Sequence, residues 1–302
     1  MRGRELTPKE HGFLLLTSNL GNPHRRPLSV ARFRELTERV RLLGGTDVSR
    51  DLQPQDLISL GYSSETARHI VSLLEEEDLL KRYLIRGEKC GCVPITRASA
   101  DYPLILRKRL GMDSPGVLWA KGDLSLLNTP SVALVGSREL RQENLLFAKE
   151  AGRRAARQGL TLVSGNARGA DKTAQNACLE AGGRVISIVA DSLAVHKPRE
   201  NVLYLSENDF DEEFSSQRAL SRNRSIHAMG ILVFVAQADL HKGGTWDGTA
   251  KNLRNGWSPV VCFNDGSQAA AELELMGAYL AGVEDLRDFC ALQRRDISFF
   301  DM

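Results

Sequence analysis

Gly136-Ser137-Arg138 and Gly165-Asn166-Ala167-Arg168-Gly169-Ala170-Asp171 are two glycine-bearing turns, each directly behind a short apolar run and each carrying an arginine. Helix starts that follow such turns hold unpaired N–H groups and a partial positive charge, so they suit anions. Phosphate is the ligand this chemistry fits. Ser137 and Arg138 stand where a hydroxyl and a guanidinium can clasp phosphate oxygens, the arginine through two parallel hydrogen bonds; the alternative is a surface arginine after a tight turn. Arg168 and Asp171 lie three apart at a helix start, which leaves two readings. Either Asp171 caps the helix or pairs with Arg168 and shapes the turn, or both serve the ligand. In the first case, loss of Arg168 costs stability as well as binding.

A second charge feature follows. Residues 207–213 hold five acids (Glu207, Asp209, Asp211, Glu212, Glu213), and Arg218, Arg222 and Arg224 come next with no acid between 214 and 228. Ser221-Arg222-Asn223-Arg224 enters a helix that can line the same edge as Arg138, or form a solvated basic face. His241-Lys242-Gly243-Gly244-Thr245-Trp246 joins cations, glycines and an aromatic ring, a mixture suited to backbone contact and stacking with a single strand. Trp246 can equally be a core residue. The candidate phosphate-binding set is Gly136, Ser137, Arg138, Gly165, Arg168, Gly169, Arg218, Arg222, Asn223, Arg224, Lys242, Gly243 and Gly244.

Other chemistries lack their residues. No G-x-G-x-x-G follows the first strand, and Gly169-Ala170-Asp171-Lys172-Thr173 ends like a P-loop without a glycine immediately before the lysine. Ser137 has no evident histidine partner and no G-x-S-x-G frame. Cys90-Gly91-Cys92 is the only close cysteine pair, and no second pair completes a zinc set. We therefore expect no catalytic residues, no metal and no cofactor. Five sparse cysteines without a signal segment point to reduced thiols in the cytoplasm. The apolar runs are too short to span a membrane. A net charge of +2 announces no nucleic-acid binder by bulk charge, so any such site is a local patch.

The elements that must position these residues fall into three stretches. Residues 1–83 read as a helical module: one short helix through Phe13-Leu14-Leu15-Leu16, then three over 28–80, the first stopping at Gly44-Gly45 and the third capped at Ser63. The module suits either contact with DNA or a partner, or a packing role. Residues 84–130 read as a proline-punctuated connector with a lead-in strand at 116–120. From 131 to 302 strands (131–135, 160–164, 184–189, 201–205, 230–235, 258–263) alternate with helices (142–157, 171–181, 218–228, 248–255, 268–281). Alternation of this kind predicts an α/β, Rossmann-like fold, a mostly parallel sheet with helices on both faces. Its ligand belongs beyond the carboxyl ends of the strands, where the turns at 136, 165 and 241–249 fall.

Over roughly 101–265 the chain resembles the DNA-processing protein A (DprA/Smf) family. The resemblance rests on Asp101-Tyr102-Pro103, Leu118-Trp119-Ala120-Lys121-Gly122, Val135-Gly136-Ser137-Arg138, the stretch Ser164 to Asp171 running on to Ala181-Gly182-Gly183, Ser206-Glu207 and Arg222-Asn223-Arg224. It implies a single-stranded-DNA binder that loads a RecA-type recombinase during natural transformation or recombination; we also expect a homodimer. Leu220 and Ser221 replace the family's proline before Arg222, and Lys242-Gly243-Gly244-Thr245-Trp246 replaces its Ser-Gly-Ser loop. The tail after 283 is too short for the family's C-terminal winged helix. The competing reading is a nucleotide sensor, or a hydrolase of nucleotide N-glycosidic bonds, from the wider Rossmann-like group. The hydrolase motif P-G-G-x-G-T-x-x-E is incomplete here, since Lys242 to Thr249 lacks its proline and Lys251-Asn252 supply no glutamate.

Overall fold

A computed structural model describes residues 4–41 and 52–297. The chain divides into two units, Met1–Tyr102 with Pro115–Trp119, and Pro103–Ser114 with Ala120–Met302.

The first unit is built on helices α1 (Pro8–Thr17), α2 (Val30–Arg41), α3 (Pro54–Ser59), α4 (Ser64–Leu74) and α5 (Glu77–Lys89), with strand β1 (Val93–Thr96). A capping box starts α1: the Thr7 side chain accepts from the Glu10 amide, and the Glu10 carboxylate accepts from the Thr7 amide. Ser63 caps α4 by accepting from the Thr66 amide, as its sequence predicts. Phe13 to Leu16 are buried with Ile70 and Leu74 of α4, an apolar core closed from inside by Arg25, which donates to the carbonyls of Leu15, Ser18 and Leu73. The expected stop at Gly44-Gly45 lies outside the described residues.

The second unit carries the turns of interest. Its elements are α6 (Leu104–Leu110), the closing residues of β2 (Val117–Gly122), β3 (Ser131–Val135), α7 (Gln142–Arg157), β4 (Thr161–Ser164), α8 (Ala170–Glu180), β5 (Arg184–Ile188), β6 (Val202–Ser206), α9 (Ser216–Met229), β7 (Val233–Val235), α10 (Gly243–Asn255), β8 (Val260–Phe263), α11 (Gln268–Leu275), β9 (Tyr279–Ala281) and α12 (Phe289–Ile297). Strands β3 to β9 lie in the order β6-β5-β4-β3-β7-β8-β9, and each adjacent pair is parallel. This is the expected Rossmann-like α/β sheet. Every residue of β3, β4, β6 and β8 is buried, which is why these strands read as unbroken apolar runs rather than alternating ones. The chain winds outward from β3 through β6 and then returns to β7, so strand order reverses at β3. Right-handed crossovers then put α7 and α8 on one face and α9 and α10 on the other.

Four elements were not expected from the sequence, namely α5, which runs across the expected boundary at 83/84, β1, α6 and α12, and two of the expected helices differ in extent. The helix expected at 248–255 begins at Gly243, because Gly243-Gly244-Thr245 carries no apolar period to mark its first turn. The helix expected at 268–281 ends at Leu275, and Tyr279–Ala281 pairs with β8 as a strand. The apolar run through Leu273 and Leu280 does not change character where the helix stops. Among the described residues no helix is long and apolar enough to cross a membrane.

Candidate phosphate-binding site

The loop after β4 is organised by one carboxylate. Asp171, in the first turn of α8, is buried, and its Oδ2 accepts hydrogen bonds from the amides of Gly165 and Ala167, both at 3.1 Å. Burial pushes its carboxyl above the usual range, while Arg222, the two amides and Arg138 pull the other way. The loop turns back on itself at Asn166 and Gly169, both with positive φ. At Gly169 a Cβ would sit 2.4 Å from the Ser137 carbonyl oxygen and 2.5 Å from that of Arg138, so only glycine lets the two turns touch backbone to backbone. The contact is fixed by the Ala170 amide, which donates to the Ser137 carbonyl at 3.1 Å. Ser137 in turn donates its amide to Gln237 just beyond β7, and its hydroxyl accepts from the Glu139 amide. The turns after β3 and β4 therefore form one rigid block.

Arg222 locks this block from the opposite face of the sheet. Its side chain rises from α9, is buried, and donates to the carbonyls of Gly165 and Ile188 at the ends of β4 and β5. A Cβ at Gly165 would lie 2.5 Å from its Nη2, so glycine there makes room for the guanidinium. Burial draws the Arg222 pKa down, and the carboxylates of Asp171, Asp191 and Glu207 hold it up. Asp171 thus shapes its turn, as one of the two sequence readings held, but the cation acting most strongly on it is Arg222 rather than Arg168. Arg168 points outward and pairs with exposed Glu139 at 3.1 Å.

The other arginines of α9 meet the acids that precede them. Arg218 pairs with Glu212 and donates to the Glu213 carbonyl. Half-buried Arg224 stands 3.6 Å from Glu207, whose side chain is almost fully buried. Burial raises the Glu207 carboxyl, with Arg224 and Ser225 opposing the rise. Residues 214–228 are free of acids in sequence, yet in space the 207–213 segment folds back beside them. Asn223 donates to the Gly244 carbonyl at 2.9 Å and so joins α9 to the start of α10. Lys242 and Gly243 are exposed there. Trp246 is a core residue, buried and edge-on to His241 with ring centroids 4.8 Å apart.

A cavity of about 340 Å³ opens at the carboxyl edge of β3, β4 and β5. Arg138, Gly165, Arg168 and Arg222 line it, together with Asn166 and Ala167 of the same loop. Gly136, Ser137, Gly169, Arg218, Asn223, Arg224 and Lys242 to Gly244 are not in its wall. The Arg138 guanidinium is exposed and makes no hydrogen bond or ion pair with any described residue. Three further lining residues escaped the sequence reading: Phe214, 55% exposed, and Ala190 and Asp191, just past β5. Asp191 follows an apolar strand on the ligand edge, a position that would have marked it once the strand order was known. A lone phenylalanine closing an acidic run carries no such signal. The cavity thus offers a free guanidinium, a second rim arginine, an exposed aromatic face and a carboxylate: the groups needed to hold a phosphate and to stack a flat ring.

Comparison with known proteins reaches the same region. The model of the family described as DNA recombination-mediator protein A matches residues 94–280, more than half of the chain. DNA processing protein DprA of Streptococcus pneumoniae is 33% identical over 141 residues, covering 43% of this chain and 50% of that protein. The chain spans about half the length of the curated relatives it matches. A crystal structure of DprA from the same species superposes with a TM-score of 0.70 at 22% identity, covering 94% of this chain and 98% of that one, a likeness of fold. A structure of DNA processing protein A from Helicobacter pylori, whose description concerns that protein's single-stranded-DNA binding mode, gives a TM-score of 0.55 at 26% identity, covering 68% of this chain and 96% of that one.

Proposed function

The chain belongs to the DNA recombination-mediator protein A family, and we propose that it binds single-stranded DNA by its backbone, with a phosphate held at the cavity rim. The observation that carries this reading is the unpaired Arg138 guanidinium beside Arg168 and Phe214 at one opening. Cationic groups and a stacking face, with few groups to read bases, fit a strand bound without regard to sequence. The H. pylori relative's single-stranded-DNA binding supports the choice of ligand. Loading of a RecA-type recombinase belongs to the same proposal, in keeping with the family's recombination-mediator description, and assembly as a homodimer is proposed with it. So does a cytoplasmic site of action, with which five free thiols agree.

The protein binds rather than turns over its ligand in this reading. The P-loop is incomplete, and the N-glycosidic hydrolase motif lacks its glutamate. Fluorescence anisotropy with a labelled single strand and its blunt duplex tests the proposal. The single strand should bind more tightly, and equal affinity for both forms, or none for either, sinks it. Incubation with ATP and nucleoside monophosphates should yield no protein-dependent product.

A further inference from the structure

Asp191 is the one wall residue of the cavity that a phosphate site does not explain. It shares the lining with Arg138, Arg168 and Phe214, and its side chain is 43% exposed. Its Oδ1 lies 2.9 Å from Nε2 of His196. The His196 imidazole is largely enclosed and lies flat on Tyr204, with centroids 4.8 Å apart and planes inclined by 23°. The hydrogen bond from His196 keeps the Asp191 carboxyl below its ordinary range, so the group is ionised at neutral pH and Nε2 is the nitrogen that carries the proton. Arg222 faces the same carboxylate from α9, but it already donates to the Gly165 and Ile188 carbonyls. The carboxylate is therefore held in place from behind and open in front.

An ionised carboxylate only accepts hydrogen bonds, and it repels a phosphate. Set in the same wall as the arginines, it calls for a donor close to the phosphate. On a nucleotide the donors are the base N–H groups and the sugar hydroxyls, and it is the hydroxyls that lie beside the phosphate. The interior of a DNA strand has none, because O3′ and O5′ are both esterified and C2′ bears no oxygen. A free hydroxyl exists on ribose, at a strand's 3′ end, or at a 5′ end without phosphate, and only the first two belong to a nucleotide that keeps its 5′-phosphate. Acidic residues at strand ends of related sheets bind ribose hydroxyls in the same chemical sense. The cavity, near the small end of ligand pockets, suits one nucleotide rather than a run of them.

We propose that Asp191, held by His196, accepts a sugar hydroxyl, so that the cavity takes a nucleotide with a free hydroxyl: the 3′ end of a DNA strand or a ribonucleotide. The proposal rests on the reading of this cavity as the phosphate site. His196 is a positioning residue, acting through Asp191.

The test uses the intact protein and 5′-labelled strands of one sequence ending in 3′-hydroxyl, 3′-deoxy or 3′-phosphate, with circular single-stranded DNA as competitor. AMP, 2′-deoxy-AMP and 2′,3′-dideoxy-AMP are compared in parallel. A hydrogen bond to a charged group predicts that the hydroxyl-bearing form binds about tenfold better than the form lacking it. A preference among strand ends identifies the DNA terminus as the source; a preference for AMP over deoxy-AMP identifies a ribonucleotide. Asp191→Asn should bring the 3′-phosphate strand up to the level of the 3′-hydroxyl strand, and His196→Ala should weaken the preference with the carboxylate still present. Equal binding of every member of both series by the unaltered protein overturns the proposal, whether or not the variants fold. Failure of the underlying phosphate reading looks different: Arg138→Ala would leave all affinities unchanged while the hydroxyl preference persisted.

Discussion

Asp171 and Arg222 grip the same peptide loop from opposite polarities. The Asp171 carboxylate collects the amides of Gly165 and Ala167, while the Arg222 guanidinium donates to the Gly165 carbonyl. Both side chains are buried, and each is the leading opposite charge acting on the other. The loop that forms the cavity floor is thus held by two oppositely charged side chains, one from α8 and one from α9, each bonded to its backbone.

Breaking that pair should be costly. Arg222→Ala removes a buried guanidinium that donates to the Gly165 and Ile188 carbonyls, and losing hydrogen bonds from a charged group typically destabilises by about 1.5–3 kcal/mol. Thermal unfolding of Arg222→Ala should show a large fall in Tm, and Arg168→Ala, whose partner Glu139 is fully exposed, should melt with the unaltered protein. A normal Tm for Arg222→Ala would show that the loop does not depend on this pair.

Arg138 should matter for binding and not for folding. It is exposed and pairs with no described residue, so its removal breaks no contact among them. If it neutralises one phosphate, Arg138→Ala lowers the slope of log affinity against log salt by about 0.7 on a single strand. Affinity should fall for every sequence alike, since phosphate contacts position a strand without reading it. An unchanged salt slope removes Arg138 from the interface.

The sheet was readable because burial on both faces writes β3, β4, β6 and β8 as largely apolar runs, and glycines mark the turns behind the first two. The role of Arg222 was not readable. Its carboxylate partners Asp171 and Asp191 are remote in sequence, and a local count of charge sees only the acid-free run around it. The same count promised free arginines at 218 and 224, where folding returns Glu212 and Glu207 to their side. Arg168 and Asp171, three apart at a helix start, looked like natural partners. The loop's reversal at Gly169 instead sends one outward and the other inward. Asp191 and Phe214 carry no local motif at all. Only the strand order brings them to the cavity.

Phe214 tests whether a base stacks at the rim. The ring is 55% exposed at the cavity mouth, and solvent exposure of an aromatic face this large suits a flat ligand. Phe214→Ala should weaken single-strand affinity by about 1–3 kcal/mol, the range seen for base–aromatic stacking, with the Tm unchanged. Phe214→Tyr should restore most of the loss. Equal affinity in the alanine variant would leave the rim to phosphate contacts alone.

His227 gives the protein a defined acid sensitivity. It lies in α9, fully buried, with neither ring nitrogen hydrogen-bonded among the described residues, and Gly248 of α10 leaves space for its Nε2. Burial draws its pKa from 6.5 down to about 3. The unfolded chain therefore takes up a proton as pH falls through 6.5, while the folded chain stays neutral until about 3. Since stability rises with pH wherever the unfolded state binds more protons, this histidine erodes stability by up to about 1.4 kcal/mol per pH unit across that window. His227→Leu removes the titration and should flatten the denaturant-derived stability profile between pH 6.5 and 4.5 relative to the unaltered protein, whatever its effect on stability at pH 7. Parallel profiles for the two proteins would show that His227 is protonated in the folded state as readily as in the unfolded one.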